Sequence, residues 1–182
     1  MSRPKMTTWT SDQPKSFLQA VSTDWLGHAF TLLAATGMRR GEALGLRWGD
    51  IDFDASQIAI VQTLNAVKGE IIIGEPKTAG SRRTLFVGDS AMQTLRAQRK
   101  QQAEERLRAG PAWSAGSDLV FLTELGEHEH PDHSSRRFKN LVTAADVPLI
   151  RLHDLRHTNA TLSLKAGVHR MNRSGFHACW LV

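Results

Sequence analysis

The stretch TGMRRGE at residues 36–42 separates two apolar patterns of helical spacing and marks a sharp turn in the chain. Before it, apolar residues recur at helical spacing over residues 11–35, and Gly37 can adopt the left-handed conformation that ends a helix. After it, residues 40–47 predict a second helix. Arg39 therefore lies at a helix start, where free backbone N–H groups also favour an anion. This placement suits an anion-binding turn between two helices, although the motif taken alone favours a surface arginine beside an acid at a helix start.

Beyond residue 56 the pattern changes from helical to β-branched. Three short runs separated by turn residues predict a small antiparallel sheet, at residues 57–64, 70–73 and 83–87. A long helix capped by Asp89 or Ser90 is then predicted, and two more follow, at residues 89–108, 134–145 and 153–166. The sequence thus predicts an α+β fold, a mainly α-helical domain with a small three-stranded antiparallel sheet.

Composition indicates one domain of an ordinary globular protein. The chain has 182 residues, of which 41% are hydrophobic and 23% charged, enough for one core. We expect a loose N-terminal tail at residues 1–10, a domain at 11–168 and a C-terminal tail of different character at 169–182. No apolar run could cross a membrane, no signal peptide is evident, and one cysteine excludes an internal disulfide. A cytoplasmic location is therefore expected.

Positive charge is concentrated in two parts of the chain. Residues 76–108 carry eight Lys or Arg against three Asp or Glu, and residues 133–173 carry eight against two. Clustered positive charge attracts a phosphate backbone through neutralisation and counterion release, although a solvated basic surface explains it equally well. Charge alone leaves both interpretations open.

Three further groups suit phosphate chemistry. In the HDLRH segment, His153 and Arg156 lie three positions apart and share one helix face, which would join a proton-handling imidazole to a guanidinium. Lys77 lies in the turn 75–83, from which a lysine can donate a proton to a leaving oxygen. Taken alone, His153 and Arg156 could also belong to a solvated polar helix face, and a hairpin lysine is more often simply solvated. A basic cluster near a helix start suits contacts with DNA phosphates: Arg136, Arg137 and Lys139.

Taken together, four segments resemble the catalytic domain of tyrosine recombinases, the phage integrase family. They are TGMRRGE at 36–42, LRWGDID at 46–52, Lys77-Thr78 and LHDLRHT at 152–158. Their order and spacing agree with the family pattern over residues 8–168. The resemblance implies DNA integration and recombination by phosphoryl transfer, with double-stranded DNA as partner, no cofactor, and a bacterial or phage origin.

The resemblance also implies roles for individual residues. Arg39 and Arg156 would hold the scissile phosphate, with Glu42 as a supporting carboxylate. Lys77 would protonate the 5′-oxygen leaving group and His153 would assist proton movement. Two convergent guanidiniums suit this task because they stabilise charge that develops on phosphoryl oxygens.

The sequence departs from the family in its attacking group, because it contains no tyrosine. Residues 169–182 lack the family's following helix, so we expect a C-terminally truncated or frame-shifted recombinase without a nucleophile, and therefore inactive. Few residues precede the matched segment, so the family's core-binding domain is expected to be missing. The alternatives are a non-catalytic DNA-binding regulator, a partner of an intact recombinase protomer, and a gene remnant.

A histidine-rich segment offers a rival interpretation as a metal site. His128, His130 and His133 alternate with the acidic residues Glu127, Glu129 and Asp132, and Cys179 and His177 come later. Their spacing fits no zinc module, and Pro131 suggests an exposed loop. We therefore expect a solvated acidic and histidine-rich loop and no metal.

Overall fold

The computed structural model describes residues 8–76 and 81–165, which form six helices and five strands. The helices are α1 Gln13–Ala20, α2 Gly27–Thr36, α3 Arg40–Leu44, α4 Asp89–Ala109, α5 Pro131–Ala144 and α6 Asp154–Lys165. The strands are β1 Ile51–Asp52, β2 Gln57–Ile60, β3 Thr63–Val67, β4 Glu70–Gly74 and β5 Arg83–Phe86. The predicted fold class, a mainly helical α+β domain with a small three-stranded antiparallel sheet, is confirmed. No helix among these residues is long and apolar enough to cross a bilayer.

The strands pair differently from the prediction. The predicted run 57–64 breaks into β2 and β3, and the three-stranded sheet has the order β1-β2-β5, whereas β3 and β4 form a separate antiparallel ribbon. In the sheet, Ile58 pairs with Leu85, and both side chains are buried. The break has a tertiary cause, since the Gln62 side chain donates to the Gly45 carbonyl at 2.8 Å and draws the chain onto α3.

The predicted pattern over residues 11–35 contains two helices rather than one. Helix α1 ends at Ala20, and the Asp24 carboxylate then accepts a hydrogen bond from the Leu26 N–H at 3.0 Å. A Cβ at Gly27 would overlap the Val21 carbonyl, so the tight reversal requires glycine. The predicted stop at Gly37 is confirmed, because this residue has φ +63° and its N–H donates to the Leu33 carbonyl.

The core reaches into the predicted N-terminal tail. Trp9 is buried and packs on Phe17 and Phe138, with ring centroids 5.1 and 6.3 Å away. Its indole N–H donates to the Pro148 carbonyl at 2.8 Å, and its backbone N–H to the Thr158 hydroxyl at 3.3 Å. The expectation of a loose tail is therefore wrong at Trp9, since an indole with a satisfied N–H can be buried at low cost. Residues 1–7 lie outside the described residues, as do 77–80 and 166–182.

Several predicted helix ends shift. Helix α3 stops at Leu44, and a short 3-10 helix follows at Trp48–Asp50. The predicted caps of α4, Asp89 and Ser90, lie inside the helix, whose N-cap is Gly88. Pro131 is buried and opens α5, so the exposed loop predicted there is wrong; proline suits a first helical position because its fixed φ is helical and it needs no N–H partner.

Two glycines bring α3 against the backbone of β3. Gly41 and Gly45 lie four residues apart and so face the same side of the chain. A Cβ at Gly41 would lie 2.8 Å from the Leu64 carbonyl oxygen, and one at Gly45 would lie 2.8 Å from the Leu64 nitrogen. This close approach fixes α3, and with it the turn 36–42, against the ribbon.

We expect Gly45→Ala to destabilise the chain by about 1–3 kcal/mol, because the new methyl group would meet backbone atoms that cannot turn away. Urea unfolding of the full chain measures the loss. The matched control is Gly74→Ala in β4, where nothing lies within 4 Å of an added Cβ, and its effect should stay within roughly 0.5 kcal/mol. Equal stability of the two variants would contradict the close packing.

Candidate phosphate-binding site

Three of the four predicted catalytic residues line one cavity. Arg39, His153 and Arg156 border a space of about 830 Å³, together with Lys139 from α5 and Asn65 from the ribbon. Residues far apart in sequence therefore meet at one surface. The fourth predicted catalytic residue, Lys77, lies outside the described residues.

Arg39 is held by Glu42, as the sequence predicts, and Glu42 is in turn held by Arg83, which the sequence analysis did not single out. The backbone N–H and a guanidinium nitrogen of Arg39 each donate to the Glu42 carboxylate at 2.8 Å. Arg83 donates to the same carboxylate at 2.9 and 2.8 Å. Burial alone would raise the pKa of Glu42, but the hydrogen bonds from both arginines outweigh it and lower that pKa to about 2. Glu42 is therefore an anion at every physiological pH.

Arg156 is fixed by the end of helix α2. A guanidinium nitrogen of Arg156 donates to the Gly37 carbonyl at 2.7 Å. Three residues later on α6, Asn159 donates to the Ala34 and Ala35 carbonyls at 2.8 and 3.0 Å. A Cβ at Gly37 would lie 2.9 Å from the Asn159 amide oxygen, so this contact requires glycine. The turn that carries Arg39 thus also positions Arg156.

His153 lies just before α6, which begins at Asp154 rather than at the predicted residue 153. Partial burial lowers the pKa of His153, and the nearby His157, whose ring centroid is 5.3 Å away, lowers it further. Asp154 is buried, which would raise its pKa, but hydrogen bonds from the Arg151 N–H and guanidinium outweigh burial and lower it. His153 is therefore mainly neutral near pH 7 and can both accept and donate a proton.

The three basic residues predicted on α5 lie in different surroundings. Lys139 borders the cavity, and Arg136 is exposed. Arg137 instead pairs with Asp24, a carboxylate with a side chain only 5% exposed, and this hydrogen bond raises the pKa of the Arg137 guanidinium. Arg40 donates to the Pro131 carbonyl at 2.9 Å and so links the turn to α5.

Sequence reasoning missed Arg83 and Asn159, although each carries a signal. Arg83 lies two residues before Leu85 in a strand, so both side chains face the buried side. A charged residue at an inward position indicates a buried partner of opposite charge. Asn159 lies three residues after Arg156 and shares its helix face. Periodicity could have indicated both positions but not their partners.

Comparison with known proteins gives one family. The model of the phage integrase family matches residues 8–172. A tyrosine recombinase XerC-like protein of Caldanaerobacter subterraneus is 32% identical over 172 residues, covering 88% of this chain and 44% of that relative. The ICEBs1 integrase of Bacillus subtilis is 28% identical, covering 92% of this chain and 45% of that relative. The chain thus spans less than half the length of these curated relatives.

Solved structures share the fold. The integrase of the Tn1549 transposon, in complex with transposon right end DNA, superposes with a TM-score of 0.77 at 23% identity, covering 92% of this chain and 56% of that one. The XerA recombinase superposes with a TM-score of 0.68 at 22% identity, covering 91% and 52%. At this identity the likeness shows a common arrangement of helices and small sheets.

Away from the cavity, the histidine-rich segment contains a buried acid. Glu129 is only 2% exposed, and its Oε1 has no hydrogen-bond partner, so the predicted solvated loop is wrong at this residue. Burial raises the pKa of Glu129 from its ordinary value of 4.5 to about 7. The His130 ring instead caps α5 by accepting the Asp132 N–H. Within residues 8–76 and 81–165, no group of three or more His, Cys, Asp or Glu side chains could hold a metal.

The raised pKa of Glu129 predicts a stability that falls with pH. The folded carboxyl holds its proton more tightly than the unfolded one. The contribution of this bound proton to the free energy of unfolding is therefore fully present below pH 4.5 and is lost as pH rises through about 7. The neutral variant Glu129→Gln should therefore gain on the order of 2–3 kcal/mol over the wild type at pH 8, and little at pH 4.5. Urea unfolding at both pH values measures this difference.

The exposed neighbour Glu127 supplies the control, since Glu127→Gln removes the same charge without a buried carboxyl. Its stability should follow that of the wild type at both pH values. Parallel pH profiles for wild type and Glu129→Gln would contradict the prediction.

Proposed function

The chain belongs to the phage integrase family of tyrosine recombinases, and from that premise we propose that its cavity binds the scissile phosphate of double-stranded DNA in site-specific recombination. The observation that carries the proposal is the convergence of Arg39, His153 and Arg156 on one cavity. Two guanidiniums are suited to a phosphodiester because each offers paired N–H donors to non-bridging oxygens. The DNA seen with the Tn1549 integrase supports the same partner here.

Each group has a distinct task in this proposal. Arg39 and Arg156 neutralise the phosphate and stabilise the charge that builds up on its oxygens during attack. His153, whose pKa is lowered, stays mainly neutral near pH 7 and can relay a proton at the same centre. Lys77 is assigned by family resemblance to protonate the 5′-oxygen as it leaves. Lys139 and Arg136 contact neighbouring phosphates of the backbone, and Arg137 joins them if DNA displaces Asp24.

The attacking group is not among these residues. The 182 residues contain no tyrosine, so we propose that this chain by itself binds DNA without forming the phosphotyrosyl bond. Binding without attack suits a DNA-binding regulator or a partner of an intact recombinase protomer. The proposal concerns these 182 residues, which span less than half of their relatives.

The phosphate site is tested by removing its two charges. We expect Arg39→Gln with Arg156→Gln to weaken binding to duplex DNA and to lower the slope of log K against log salt by about 2, or roughly 1 for each lost phosphate contact. Wild-type affinity should lie near the non-specific range of roughly 10⁻⁴–10⁻⁶ M. Fluorescence anisotropy with a labelled duplex at several salt concentrations measures both quantities.

The control removes the same charge elsewhere. Arg106 and Arg108 are exposed at the end of α4, so Arg106→Gln with Arg108→Gln changes the net charge equally and leaves the cavity intact. This variant should keep most of the wild-type slope. If both double variants bound alike, the cavity would not be the phosphate site.

The absence of tyrosine predicts the absence of covalent chemistry. We expect no denaturant-resistant protein–DNA adduct when the chain is incubated with nicked duplexes of randomised central sequence, since no residue supplies the family's nucleophile. Adducts would be retained on a filter under denaturing conditions, released by protease and sequenced. An intact family recombinase with its own site serves as positive control, and a recovered adduct from this chain would contradict the prediction.

A further inference from the structure

Arg83 makes the most buried ion pair near the cavity, and the proposed function does not use it. Its side chain is 16% exposed and that of Glu42 is 1% exposed, whereas the side chain of Arg39 is 52% exposed. Arg83 therefore lies behind Glu42, away from solvent, and Arg39 lies in front of it, at the cavity. A buried arginine in this position can act on a bound phosphate only through the groups it holds.

The hydrogen bonds at Glu42 form a symmetrical arrangement. Oε1 accepts one bond from Arg39 Nη1 and one from Arg83 Nη1. Oε2 accepts one from the Arg39 backbone N–H and one from Arg83 Nη2. Each oxygen is thus shared between the two arginines. Arg83 fixes the plane of the carboxylate from one side, and the carboxylate orients Arg39 on the other side. Two parallel bonds from one guanidinium impose this geometry more strictly than a single point charge would.

Arg83 also holds the chain that leads into its own strand. Its Nη1 donates to the Ser81 carbonyl at 3.2 Å, and Ser81 directly follows the segment 77–80 that begins with Lys77. One guanidinium therefore contacts both the carboxylate that orients Arg39 and the backbone next to the lysine-bearing segment.

We propose that Arg83 is a positioning residue, which fixes the guanidinium of Arg39 through Glu42. The same guanidinium also binds the Ser81 carbonyl and so links the backbone at Ser81 to the Glu42 carboxylate. It does not touch the phosphate. This inference rests on the proposed function, since it takes the cavity to be the phosphate site.

Sulfate binding tests the inference without needing a DNA site or an active enzyme. Sulfate resembles a phosphodiester in shape, and the Nε–Hε signal of Arg39, assigned with Arg39→Lys, reports its binding by NMR. We expect Arg83→Met to raise the sulfate Kd about tenfold, as the loss of one well-aligned charge-assisted hydrogen bond would. Arg83→Lys keeps the charge but loses the paired geometry, so its sulfate Kd should lie between those of Arg83→Met and the wild type.

Arg82 provides the matched control. It is the neighbouring residue, and it pairs with Glu75 at the surface, where the two side chains are 53% and 77% exposed. Arg82→Met removes the same charge one position away, so its sulfate Kd should stay within about twofold of the wild type.

A second variant separates positioning from stability. Arg83→Met leaves Glu42 buried with one partner fewer and is expected to lower Tm, which by itself says nothing about positioning. The double variant Glu42→Gln with Arg83→Met has no buried charge at this position, so it should fold. Its Arg39 has nevertheless lost the fixed carboxylate, so the double variant should bind sulfate as weakly as the single variant Arg83→Met does.

The outcomes are distinct. If sulfate shifts the Arg39 signal in the wild type, but the folded single and double variants bind sulfate as tightly as the wild type does, Arg83 does not position Arg39 and only this inference fails. If sulfate leaves the wild-type Arg39 signal unchanged, the proposed phosphate site fails, and the inference fails with it. Graded binding in the order wild type, Arg83→Lys, Arg83→Met supports the inference.

Discussion

The free carbonyl groups at the C-terminal end of helix α2 hold the candidate site together. The last turn of a helix leaves its carbonyls without intrahelical partners, and they carry partial negative charge. Here Asn159 donates hydrogen bonds to the Ala34 and Ala35 carbonyls, and Arg156 donates one to the Gly37 carbonyl. Helix α6 is thereby docked on α2 by groups that also satisfy the helix end. Because the chain reverses at Gly37, the residues that follow carry Arg39 to the cavity that Arg156 borders.

The proposed anion site must keep several cations close together in the absence of the anion, and local ion pairs reduce their net charge. Glu42 neutralises one charge of the Arg39 and Arg83 pair, and Asp154 neutralises Arg151. The cavity still carries a positive excess, because five Lys or Arg side chains border it and Asp154 is the one carboxylate among its described lining residues. The low pKa of Glu42 and the lowered pKa of Asp154 make this pairing insensitive to pH in the physiological range. Counting basic residues along the sequence overestimates the positive charge available to an anion, because Arg137, for example, is paired with Asp24.

Features that depend on interactions between residues close in sequence could be predicted, whereas features that depend on contacts between distant residues could not. The stop at Gly37 and the long helix α4 depend on local patterns, and both were predicted from them. The split between β2 and β3 depends on contacts with α3, which lies more than ten residues earlier, and strand propensity carries no record of those contacts. Glu129 illustrates the same limit: among histidines and acids its surroundings look polar, yet its side chain is buried. The site residues were selected by motif spacing, whereas the partners that fix them were visible only in three dimensions.

In the proposed function, binding a phosphate and attacking it are physically separate tasks. Arg39 contacts Glu42, which Arg83 also holds, and Arg156 contacts the Gly37 carbonyl next to the α2 carbonyls that Asn159 holds. None of those contacts requires a nucleophile to be present, because each is satisfied by backbone or side-chain groups of the described domain itself. A preorganised pair of guanidiniums can therefore hold a phosphodiester before any attacking group arrives, and electrostatic stabilisation of this kind acts on whichever nucleophile is supplied. By this proposal, the contacts that orient Arg39 and Arg156 can form in a chain that contains no tyrosine.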